Sequence, residues 1–436
     1  MDEVLLLQDF PAERGQRLGA CQKTLLKQIV TDFKALCTKQ NMGPMELPDR
    51  ARFLSTAINQ LVPEWLVEAR AVATAAEISA VSFIAMTSPP DSLQSFFLPK
   101  RANDSSAMAV TGTALRTLDL GGLLLENSDG PDMPHVVISR ESSPGSTAYV
   151  ALAEAANIGI KAFLNSAGLA GTFHIGPQVQ DNTNLTFPPS MVLRHLCERA
   201  TSCDQALAEF DALQKRIGIG TPDKRGTIYL FADATGEVLL LEASAKQFKQ
   251  RKISNGFQIV TNKFQHLSQS QTTIEPFRQR CLKEQLEAGP VDLRRALKSS
   301  RIDSSLGTEK GVCDVNTRAS FVAVTGLQDR THFALATLGS PLIGLPVPIF
   351  PGIGIPKGMA DGSAYAATRA NPTPLPLEKR SAYDDALLNL LAPALSKSAQ
   401  SPQLTQIMLE AWKLSREILA ANVPQKQEPA PAAKTV

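Results

Sequence analysis

The feature that most constrains this chain is an alternation of hydrophobic period. Groups of segments with apolar residues at helical spacing alternate with groups of short, strand-like runs joined by tight turns. A long helix is expected over residues 11–40 and two more over 49–88, after a short strand in "EVLLLQDF". The strand-like stretch then begins at "TALRTLDL" and "GLLLENSDG", with a Gly-Gly turn between them, and continues through "HVVISRESS", "STAYVALAEA" and "IGIKAFLNSAGLAGTFH". A helix pair follows over 189–216, then the strands "GTIYLFADATGEVLLLEAS", "KQRKIS" and "GFQIVTNKF", two helices over 274–300, and a last strand pair with a turn at Gln328-Asp329. Strands joined as hairpins make antiparallel sheets. With helices before, between and after them, the expected class is α+β: a four-layer αββα sandwich with an N-terminal helical segment and a C-terminal helical extension.

Composition narrows the function classes. Lys plus Arg is 44 against 42 for Asp plus Glu, a formal net charge of +2. No basic cluster with interleaved aromatics occurs, so neither nucleic acid nor a membrane surface is an expected partner. The six cysteines form no CxxC pair, and the five histidines have no HExxH or paired spacing, so no metal and no cofactor is expected. No run of about 20 apolar residues is present. The start has no signal-peptide pattern, and a cytoplasmic protein is expected unless a signal has been removed. The expected divisions are 1–110 (helical), 111–345 (the sandwich core), 346–424 (proline-rich linker and C-terminal helices near 382–396 and 401–421) and a disordered tail, 425–436. The amphipathic C-terminal helices pack against the core or a second subunit, which leaves a homo-oligomer open.

Several pieces in collinear order carry a resemblance: "FPAERGQRLGA" before the first long helix, the hairpin ending in "NSD", "FLNSAGLAGTF", the helix pair, the strand ending in "VTNKF", and the helix "EPFRQRCLKEQL". Over roughly residues 8–350 the chain resembles the N-terminal-nucleophile (Ntn) hydrolases of the acyl-CoA:isopenicillin N acyltransferase kind, peptidase family C45. Penicillin V acylases and bile-salt hydrolases are more distant relatives. The resemblance implies a self-processing zymogen that acts on a small-molecule amide or a peptide. The precursor cleaves itself, and the freed N-terminal residue attacks a linear amide bond with its own α-amine as base.

The family nucleophile is Cys, and this chain has none between residues 38 and 196. A gap-free overlay from Asn127 and Asp129 puts the nucleophile at Thr111, with the hairpin turn at Asp119–Gly121. Thr113 is second, since Gly112 precedes it, and Ser105 and Ser106 are third. The resemblance further implies that Asp129 supports the nucleophile's amine and Asn127 braces the hairpin or meets substrate. Asn262 would hold the oxyanion, Thr172 and His174 would face substrate, and Arg318 would stand near the nucleophile. Asn165 reads as a turn-shaping residue. The alternative is a relative that kept the fold and lost the chemistry, or a peptidase with the same mechanism.

Overall fold

The computed structural model describes residues 3–8, 10–88, 105–116, 120–129, 133–179, 186–221, 224–267, 277–303, 311–327, 330–396 and 399–422. The expected turn at Gln328-Asp329 and the expected disordered tail lie outside the described residues.

Two antiparallel sheets form the centre. The seven-stranded sheet contains β4 (His135–Arg140), β5 (Tyr149–Glu154), β6 (Ala162–Asn165), β7 (Ala170–Gln178), β8 (Arg225–Ala232), β9 (Val238–Ala243) and β10 (Phe248–Ile253), each paired with its neighbour in chain order. The six-stranded sheet contains β2 (Ser106–Thr111), β3 (Leu120–Ser128), β11 (Gly256–Val260), β12 (Ala319–Gly326), β13 (Phe333–Leu338) and β14 (Val347–Ile349), in the order β11-β2-β3-β12-β13-β14. A two-stranded pairing joins β1 (Val4–Leu5) to β15 (Ile355–Pro356).

Most strands read as nearly continuous apolar runs because both faces are covered. In β8, Ile228 and Leu230 enter the cluster between the sheets, while Tyr229 and Phe231 enter the cluster under the helices. One helix layer, α1 (Pro11–Cys21), α2 (Lys23–Lys39), α3 (Glu46–Leu61), α4 (Pro63–Ala76), α5 (Ala80–Met86), α6 (Pro189–Arg199) and α7 (Cys203–Arg216), covers the seven-stranded sheet. On the other side α8 (Phe277–Glu287) and α9 (Leu293–Ser300) cover β2, β3, β11 and β12. The C-terminal helices α10 (Lys357–Ala360), α11 (Ser363–Ala370), α12 (Leu377–Ser396) and α13 (Ser401–Ala420) close the β4/β14 side. The αββα expectation holds.

Three local expectations do not. The long first helix is two helices that break at Gln22, whose buried amide donates to Ala360 O at 2.8 Å. Residues 49–88 hold three helices rather than two, because Glu77 takes a left-handed conformation (φ 56°) that ends α4. The proline-rich run after 340 is not a linker: it supplies β14 and β15 and is largely buried. Pro348 is tolerated there because β14 is an edge strand.

Candidate active site

The hairpin's register decides which groups meet. Ser106 faces Asn127, and Thr111 faces Gly122. Gly121 and Gly122 are inside β3, and the chain reverses through a 3₁₀ turn at Gly112–Ala114, where Gly112 sits at φ 61°. The gap-free overlay therefore placed the turn too late and slid every residue of the first strand along its partner. Five residues of strand, about 17 Å, separate Thr111 from the level of Asn127.

Thr111 lies in the turn-side half of the sandwich. Its hydroxyl reaches Gly236 O at 2.7 Å and Gly121 O at 3.0 Å, which ties the two sheets together. The bond before it, Val110–Thr111, is inside a strand paired on both sides, to Leu123 and to Phe257. Thr113 is at the rim, with its N–H and hydroxyl both on Asn255 Oδ1 at 2.8 and 2.7 Å. Neither threonine meets Asp129.

Ser105 does. It precedes β2 and is 6% exposed. Its hydroxyl donates to Asp129 O at 2.9 Å and accepts from Asp129 N–H at 3.3 Å. Its own N–H donates to Asn262 Oδ1 at 3.3 Å. Asn262 follows β11 and donates from Nδ2 to Ile175 O at 2.8 Å, so this amide staples the Ser105 end of one sheet to β7 of the other. The Asp129 carboxylate is held by Arg278, in the first turn of α8, and accepts from Thr317 Oγ1 at 2.5 Å. Burial pushes its pKa up to about 7, against the pull of Arg278 and Thr317, and the charge of nearby Asp314 adds to the rise. Cys313 also feels Asp129, but burial keeps its thiol far above the ordinary range, so it offers no thiolate.

The remaining expected residues divide by face. Asn127 points away from the inter-sheet layer and donates to Ser300 O at 2.9 Å and Val312 O at 3.3 Å, bracing α9 against the hairpin. His174 points inward from β7 and its Nε2 lies 2.8 Å from Glu126 Oε2, with Lys161 Nζ 3.6 Å from the other Glu126 oxygen. Burial lowers the His174 pKa, with Glu126 opposing. Thr172 donates to Lys161 O at 3.1 Å; both it and His174 are wholly buried. Arg318 is buried just before β12 and donates its N–H to Ser128 O at 2.8 Å, while the cation on Asp129 is Arg278. Asn165 does shape its turn, accepting from Ala167 and Leu169 and donating to the carbonyls of Cys197 and Ala200.

The structure thus assembles Ser105, Asp129, Asn262, Arg278 and Thr317. Sequence reasoning missed Arg278 and Thr317. The signal for Arg278 was present, since it is the first of the two arginines in the "EPFRQRCLKEQL" helix. Thr317 carried no signal of its own.

A sequence model of the family described as acyl-coenzyme A:6-aminopenicillanic acid acyl-transferase matches residues 123–300. Over that range the chain is similar to this acyltransferase family, an Ntn-hydrolase-like relationship. The matched range includes Asp129, Asn262 and Arg278 but starts after Ser105. No curated protein matches in sequence. Among solved structures, the N-acylethanolamine-hydrolyzing acid amidase ortholog of Caenorhabditis elegans aligns at a TM-score of 0.37 and 13% identity, over 52% of this chain and 94% of that one. Penicillin V acylase from Agrobacterium tumefaciens gives 0.35 and 13%, over 56% and 86%. A variant of conjugated bile acid hydrolase from Clostridium perfringens gives 0.33 and 12%, over 56% and 92%. Likenesses at this level add no weight to the relationship. The matched family is one of acyltransferases, and the αββα layer order is compatible with it. Among the described residues, no helix is long and apolar enough to cross a membrane, and no cluster of metal-ligating side chains occurs.

Proposed function

We propose that this chain is a self-processing amidohydrolase or acyltransferase of the Ntn type, with Ser105 as its nucleophile in place of the threonines favoured by the sequence. The observation that supports this reading is the meeting of Ser105 with Asp129 and Asn262 at one strand end. Cleavage of the Asp104–Ser105 bond divides the chain into segments of 104 and 332 residues and leaves Ser105 with a free α-amine. An α-amine has a pKa near 8, so a useful fraction is neutral at working pH. It takes the hydroxyl proton as Oγ attacks the amide carbonyl, then returns it to the nitrogen as the C–N bond breaks. Water or a second amine takes the acyl group from Ser105. Asn262 Oδ1 orients the amine, and Asp129, fixed by Arg278 and Thr317, positions the hydroxyl through its backbone.

Penicillin V and an N-acylethanolamine, the linear amides in the relatives' names, are the substrates to offer first. The wild type is expected to cleave at least one of them. Ser105→Ala should lose at least about 1,000-fold in rate, and Thr111→Val should keep it. Activity that survives Ser105→Ala and dies in Thr111→Val would overturn the assignment. One observation favours a non-catalytic relative: Glu126 and His174 fill the inter-sheet space one row from Ser105 and are 0% exposed. On that reading the wild type and Ser105→Ala are equally inert.

A further inference from the structure

The C-terminal segment does more than close the sandwich. Between β13–β14 and helices α10, α11 and α13 lies a cavity of about 520 Å³, within the usual range for a small-molecule site. Its floor is hydrocarbon: Leu338, Leu345, Val347, Met359 and Trp412 are each 8% exposed or less. The buried hydroxyl on its wall, Thr368 Oγ1, donates its one O–H to Tyr365 O at 2.8 Å, so it has no donor left for a ligand. Charge appears only toward the rim, where Lys357 and Arg416 are balanced by Glu3 and Asp361. Lys357 and Glu3 pair at 2.6 Å.

The walls are built to leave this space. Helix α11 turns Ala364, Ala367 and Thr368 toward it and no large side chain. Gly358 lets α10 approach the Trp412 ring so closely that a Cβ would sit 2.9 Å from it. An apolar cavity left unfilled is destabilising, because its lining atoms lose their packing partners. The cavity shares no residue with the Ser105 set, and all its walls except Glu3 lie beyond residue 300, outside the range matched by the family model.

We propose that this cavity is a second binding site, for a lipid-type amphiphile. A single hydrocarbon chain occupies the floor beside Trp412, and an uncharged, hydrogen-bonding head lies at the rim. A buried charge has no partner on the floor, and a rim of zero net charge selects neither an anionic nor a cationic head.

The test uses the full chain and two probes, Nile red and 1-monooleoylglycerol below its aggregation concentration. The wild type is expected to bind Nile red saturably at one site and to release it as 1-monooleoylglycerol is added. Ala364→Trp places an indole in the cavity and should weaken binding of both probes at least tenfold without lowering Tm. Ala367→Trp, on the exposed wall, gives the same comparison should Ala364→Trp fail to fold. Saturable binding unchanged in the filled variant, or no saturable binding by the wild type, would overturn the proposal. The readout is binding, so the outcome is independent of whether Ser105 is a nucleophile.

Discussion

At the scale of single residues, one strand's register separates two readings of the same hairpin. Thr111 and Ser105 both carry a hydroxyl, and both face the inter-sheet layer. Thr111 spends its hydroxyl on the carbonyls of Gly121 and Gly236. Thr111→Val should therefore cost about 1–2 kcal/mol in chemical denaturation, the penalty for stranding buried acceptors. A stability equal to wild type would contradict that structural role. Asp129 gives a second expectation. Its pKa rises from 3.8 to about 7 on folding, so between about pH 4 and 7 the folded chain holds this proton more tightly than the unfolded one. The group thus lowers stability as pH rises through that window. Asp129→Asn should flatten the fall in Tm across the window, and an unchanged slope would show that Arg278 keeps the carboxylate ionised throughout. The sequence made Asp129 and Asn262 legible, because each stands in a short motif at a strand end. It ranked Ser105 behind the threonines, because counting back from Asn127 needs the length of the turn. That length depends on Gly112 adopting a positive φ, which no apolar period records.

At the scale of elements, the first helix is held by backbone contact and buried charge together. A Cβ on Gly15 would lie 2.3 Å from Glu68 O, and one on Gly19 would lie 2.4 Å from Val72 O, so these glycines let α1 lie directly on α4. Gly15→Val should push α1 off α4, lower Tm and raise hydrogen exchange in α1 before the sheets; exchange unchanged in α1 would contradict the contact. Beneath the helix pair, Arg194 spans Glu68 and Glu198 at 2.9 Å each, and Arg14 and Arg140 complete the network. Burial opposes ionisation of Glu68, but the three arginines win and hold its pKa at about 2. Its stabilisation, about 3 kcal/mol, is present above pH 4.5 and lost as the pH falls toward 2. Glu68→Gln should be less stable at pH 7 and show a shallower acid limb; an acid limb as steep as wild type would place the titration elsewhere. The amphipathic period announced these helices, while the glycine contact and the ion cluster joined residues up to 126 positions apart and left no local mark.

At the scale of the whole molecule, layer order was readable because hairpins and helix pairs alternate along the chain. The role of the C-terminal third was not. Prolines between 341 and 356 looked like a linker, yet Pro348 pairs with Leu335 at the sheet edge, and the helices that follow close one side of the sandwich around a cavity. The same global view places Ser105 at the start of a central strand, where a cut leaves both sheets intact. A cut before Thr111 would instead sever a strand paired on both sides. The most direct measurement is therefore denaturing mass spectrometry of the purified protein, followed by N-terminal sequencing of any large fragment. The account predicts a 332-residue fragment beginning Ser105-Ser106-Ala107, absent in Ser105→Ala. A fragment beginning at Thr111 or Thr113, or a single uncleaved chain of 46.9 kDa, would contradict it.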